Sequence, residues 1–147
     1  MTGWKRRWRI AVDNHLFYLS LARKGGNVEL GEEPVGAAAR SGKAYLIVVA
    51  SDASDHTWRR AKSFVAGTNQ QCVRLSCDKD QLGMAIGRTS LAIAAFTDVG
   101  LALSFLKAQP NPDGNAVAVL EEKLRKLKQR QQEAKAHRRN ARMGKKK

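Results

Sequence analysis

Residues 27–51 read NVELGEEPVGAAARSGKAYLIVVAS, and this stretch decides the fold. The segment NVEL reads as a short strand, and Gly31 allows a tight turn directly after it. Glu32 and Glu33 then face the positive end of a helix dipole, with Pro34 in the first turn, where a missing N–H costs nothing. The small residues of VGAAARS predict a helix packed closely against a sheet and ending at Gly42. KAYLIVVAS is apolar and β-branched, the pattern of a strand covered on both faces.

Working outward, the same alternation continues. NHLFYLSLARKGG, from Asn14, predicts a helix stopped by Gly25 and Gly26. Asp52, Ser54 and Asp55 are caps for a helix closing near Gly67, followed by a strand in QQCVRLS and a short helix in DKDQLGMAIG with an Asp78 cap. SLAIAAFT predicts a fourth strand and DVGLALSFLKA a closing helix. Strands alternating with helices imply an α/β fold, a three-layer α/β/α sandwich on a four-stranded mixed sheet. The expected organisation is a basic extension at 1–13, a domain at 14–109, a linker at 110–116 and a basic helical or disordered tail at 117–147.

Charge is distributed unevenly. Residues 121–147 hold 12 Lys/Arg against 3 Asp/Glu and residues 1–13 hold 4 against 1, while residues 14–120 hold 11 against 9. A nearly neutral body with basic ends points to a polyanion, because basic arms release the counterions condensed on nucleic acid. Val117, Leu120, Leu124 and Leu127 make an apolar stripe, supported by expected i,i+4 pairs Glu121 to Arg125 and Glu122 to Lys126. Beyond Leu127 the helix has no sustained apolar face, so a membrane is not the expected partner. Trp4 and Trp8 sit one helical turn apart in the N-terminal extension, where they suit base stacking or docking on the domain.

Two separated motifs carry a family likeness. LARKGGNVELGEEPVGAAARSGKAYLIVVASDAS at 21–54 and LGMAIGRTSLAIAAFTDVGLA at 82–102 resemble the superfamily of ribosomal protein seven-Ae and thirty-e of the large subunit, and within it the small bacterial YlxQ-like members. The resemblance implies a sandwich that binds structured RNA, in the best-known members a kink-turn. It places contacts at the turn Gly31, Glu32 and Glu33, extending to Ala37, and at the loop Gly87, Arg88, Thr89 and Ser90. Kink-turn readers carry Asn-Glu followed three residues later by Lys, whereas the corresponding positions here are Glu33, Pro34 and Ala37. A carboxylate accepts from guanine N1–H and N2–H₂, so Glu32 or Glu33 would read an exposed guanine edge.

Each candidate has a plainer use. Glu32 and Glu33 also serve a helix start, and the 87–90 loop is also a turn into a strand. An Arg88 plane beside Gly87 can stack on a base or fork onto phosphate. Arg40 and Lys43 become phosphate positioners if they share a rim with the two glycine turns. On the tail, Lys123, Arg125, Lys126, Lys128, Arg138 and Arg139 are expected to hold phosphates.

Catalysis is not expected. Asp52, Asp55 and His56 suit capping, and no phosphate-cradling loop or nucleophile elbow is present. Cys72 and Cys77 suggest neither a disulfide nor a metal site, and His15, His56 and His137 are scattered. No cofactor and no metal is expected. The expectation is therefore a cytoplasmic, non-enzymatic RNA-binding protein of the translation apparatus, monomeric, with structured RNA of the ribosome as partner. Two alternatives stand beside it: a protein-interaction adaptor using the 117–127 stripe, and a stand-alone rRNA-recognition domain.

Overall fold

In the first helix, α1 (Asn14–Lys24), Leu16, Leu19 and Ala22 are buried at intervals of three, and Arg23 and Lys24 complement the dipole at its end. This and all that follows comes from a computed structural model that describes residues 14–110 and 112–145, with side chains to 141. The basic extension 1–13, with Trp4 and Trp8, lies outside the described residues. Strand β1 (Val28–Leu30) buries Val28 and Leu30 and turns Glu29 outward. Helix α2 (Glu32–Arg40) leads to β2 (Leu46–Val49), buried throughout. Helix α3 (Asp55–Val65) starts where the Ser54 hydroxyl accepts the Thr57 N–H at 3.2 Å.

Strand β3 (Gln71–Arg74) precedes α4 (Lys79–Ala85), whose start is closed by a reciprocal box between Asp78 and Gln81. Strand β4 (Ile93–Phe96) is again wholly buried, and Asp98 accepts the Leu101 N–H at 2.9 Å to open α5 (Val99–Lys107). The last element, α6, runs from Gly114–Lys145.

The sheet order is β1-β4-β2-β3. Strand β4 is antiparallel to both neighbours, while β2 and β3 are parallel. Helices α2 and α3 pack together on one face; α1 and α5 pack together on the other, with α6 against α5. The architecture is therefore an α/β/α sandwich on a four-stranded mixed sheet.

Two details of the C-terminal region differ from the sequence expectation. Helix α6 begins at Gly114, inside the segment read as linker, because the Asp113 carboxylate accepts the Asn115 and Ala116 N–H groups. The expected i,i+4 pairs give way to Glu121 with Lys107 of α5 at 3.1 Å and Glu122 with Arg125. The apolar stripe is used internally: Ala116 and Leu120 are buried in the core, and Val117 and Leu124 pack against it. From Ala116 to Leu124 the face that the adaptor reading needs is thus occupied by the chain's own domain.

Leu120→Ala is expected to lower unfolding stability by about 2–5 kcal/mol, the range for emptying a buried leucine site. A chain ending after Leu127 should keep the parent urea midpoint, since every described side chain beyond it is exposed. A large drop in that midpoint on removing 128–147 would show that the exposed segment supports the core.

Candidate nucleic-acid interface

The two glycine-bearing turns are brought to one end of the sheet by the pairing of β1 with β4. Leu30 faces Ala94 in that ladder, and the Gly31 N–H donates to the Ile93 carbonyl at 3.1 Å. Gly31 sits at φ 95°, a conformation that admits glycine readily, and it gives α2 no side-chain cap. The opposite loop closes α4 by a Schellman motif. Gly87, at φ 75°, donates to Met84 and Arg88 donates to the Gly83 carbonyl at 2.8 Å. Gly87, Arg88, Thr89 and Ser90 are all exposed.

Other loops brace this end. The Ala50 N–H donates to Ala92, the Ser51 N–H to Cys77, and the Lys79 N–H to the Asp52 carboxylate at 2.9 Å. The starts of α2, α3 and α4 therefore gather beside the 87–90 loop, and their N–H ends bias the local field toward anions. Acidic groups offset part of that field, but several are committed. Glu32 accepts from the Thr57 hydroxyl at 3.2 Å and lies 3.6 Å from Arg60 Nε, tying α2 to α3. Glu33 is exposed, so of the two carboxylates it is the one presented outward.

Sequence reasoning missed three contributors. Thr57 and Arg60 hold Glu32, and nothing in local spacing links them to it. Gly83 is the third: a Cβ there would stand 2.6 Å from Ser90 Cα and 2.8 Å from the Arg88 carbonyl. Its hydrogen sets how closely the 88–90 loop lies on α4.

Arg40 and Lys43 do not share the rim. They follow at the C-terminal end of α2, near Tyr45, whose N–H bonds the Phe96 carbonyl at 3.0 Å at the end of the strands opposite Gly31, and Lys43 lines a cleft with Glu29, Pro34 and Ala37 along α2. Lys123 joins them there, its ammonium 5.0 Å from the Tyr45 ring centroid. Arg125 hydrogen-bonds Glu122, which holds that carboxyl below its ordinary value. Lys126 borders a cleft with Asn69, and Lys128, Arg138 and Arg139 are exposed beyond it. The structure thus separates the sequence-predicted set into two groups.

Cys72 lines a cleft of about 500 Å³ with Trp58, Leu106 and Pro110 along the β3 edge. Burial pushes its thiol up to about 12, Lys62 acting weakly the other way. Neither cysteine is in a disulfide. Among the described residues no cluster of three or more His, Cys, Asp or Glu side chains could hold a metal ion. Among them no helix is long and apolar enough to cross a membrane.

No protein family and no curated protein matches the chain. Solved structures do. A protein of unknown function from Bacillus halodurans C is similar at a TM-score of 0.60 and 24% identity, over 64% of this chain and 94% of that one. The Giardia lamblia 15.5kD RNA binding protein is similar at a TM-score of 0.52 and 17% identity, over 73% of this chain and 82% of that one. These likenesses show a shared fold.

Two outcomes check this geometry. Gly83→Ala should destabilise the protein and perturb amide shifts of 87–90 before those of β2, as read by NMR of the labelled chain. Cys72, neutral at pH 8 because its raised value lies far above that pH, should react with a thiol reagent much more slowly than an exposed cysteine.

Proposed function

We propose that the chain is a non-enzymatic RNA-binding protein of the translation apparatus, a YlxQ-like relative of the seven-Ae and thirty-e ribosomal proteins, acting in the cytoplasm. The observation that supports the reading is the Gly31–Ile93 hydrogen bond, which ties the first turn named by the family likeness to the start of β4, the strand that the 87–90 loop leads into. A fold shared with the Giardia RNA binding protein supports it. So does a charge distribution whose excess lies outside the sandwich.

In this reading the Gly31 turn and the 87–90 loop meet structured RNA. Glycine at both turns lets backbone come close to a ligand, Arg88 supplies a fork for phosphate or a plane for a splayed base, and Glu33 accepts from an exposed guanine edge. Glu32, held by Thr57 and Arg60, braces the turn rather than reading sequence. Kink-turn recognition would have to work without the Lys that Ala37 replaces, so shape and a single carboxylate carry the selectivity. The tail adds phosphate affinity that depends on salt and not on sequence.

The test is binding of magnesium-folded ribosomal RNA fragments by fluorescence anisotropy across a salt series. Arg88→Ala should weaken binding and lower the log–log salt slope by about one unit, the signature of one lost phosphate contact. Crosslinking with sequencing of the attached RNA would then identify the target. Unchanged affinity in both Arg88→Ala and Glu33→Gln would remove this end of the molecule as the contact surface.

A further inference from the structure

The cationic residues that the sequence places on one footing lie at opposite ends of the molecule. At one end, Gly31 and the 87–90 loop flank the start of β4; at the other, Tyr45, Phe96 and Gln71 are linked by backbone hydrogen bonds of 3.0 and 3.2 Å. Helix α6 travels between these ends. Asp113 lies with Leu75 and Ser76 beside the first end, Glu121 meets Lys107, Lys123 covers Tyr45, and Lys126 and Leu127 lie by Asn69 at the second. The chain from 115 to 143 contains no Gly or Pro to turn the helix back. Residues 128–145 therefore leave the domain away from the glycine turns, over roughly 27 Å at 1.5 Å per residue.

That projecting segment has two unlike sides. At about 100° per residue, Lys128, Arg130, Lys135, Arg138 and Arg139 fall within one half of the helix circumference. Gln129, Glu133, Ala136 and Asn140 occupy the other half, and the Gln129 amide donates to Glu133 there at 3.3 Å. A one-sided cationic face matches a row of phosphates lying along the helix, with the other side, which carries no cation, left to water. The same helix suits a bilayer poorly, because the side opposite its cations is polar and has no aromatic anchor.

We propose that the chain grips two separate RNA segments at once: the glycine turns hold one, and the cationic face of α6 beyond Leu127 lies along the phosphates of another. The inference rests on the RNA reading above and adds the division of labour. The sandwich sets the distance between the segments, since β4 and the packed part of α6 fix one end relative to the other.

The experiment mixes folded ribosomal RNA fragments, half carrying a donor dye and half an acceptor, with the full chain. Energy transfer should rise with protein and fall again once protein exceeds RNA, as each fragment acquires its own copy. The combined variant Lys135→Gln, Arg138→Gln, Arg139→Gln should return transfer to the protein-free level while still binding single fragments by anisotropy. Gln129→Ala with Glu133→Gln, on the other side, should leave transfer intact. Binding without transfer at any ratio overturns the bridge and spares the RNA reading, whereas no binding to any fragment overturns both. Transfer that survives the triple variant, a dimer of the RNA-free protein in sedimentation, or preference of the tail for phosphatidylserine vesicles over RNA also overturns it.

Discussion

The antiparallel placement of β4 between β1 and β2 is the constraint on which the rest of the molecule depends. Its four residues are buried, and Ala94 and Ala95 are wholly inaccessible. Their small side chains let helices approach both faces, while the ladders bind Ala94 to Leu30 on one side and Val48 on the other. Because the strand enters the sheet beside the exit of β1, the loop before it must lie next to Gly31. A turn near residue 31 and a loop near residue 88 become neighbours only through that pairing.

Around that frame several of the body's acidic side chains are used within it. Asp52, Asp78 and Asp98 accept backbone N–H groups at helix starts, and Glu32 joins α2 to α3 through Thr57 and Arg60. Pairs this exposed contribute little individually to stability. Their effect is positional: they hold the loops that line one end of the sheet. The unbalanced charge is left to the helix beyond Leu127, where nine Lys/Arg stand against one Glu in residues 128–147. Body and tail thus divide shape from charge.

Much of the fold was legible because strands and helices here are locally consistent. LIVV and IAAF are apolar without alternation, the mark of strands covered twice, and Ser54, Asp78 and Asp98 stand where caps belong. The candidate site was legible only in part. Gly31 and Gly87 announce turns, yet the roles of Gly83 and of the Glu32 tether depend on residues far along the chain. The stripe at 117–127 leaves a partner helix open as an alternative on sequence alone, because an amphipathic pattern says that a face is buried and not against what.

The order of elements, the doubly covered strands, most cap positions and the separation of a neutral body from basic ends were settled by the chain's own sequence, since each follows from local periodicity and composition; Asp52, which accepts the Lys79 N–H rather than capping α3, is the exception. Only the tertiary structure decided which turns meet and which cations do not. Strand order and helix direction are set by packing between distant segments: they bring the loop ahead of β4 to the end of the sheet where Gly31 lies, set Tyr45 and Lys123 together at the other end, and send the basic helix outward from there.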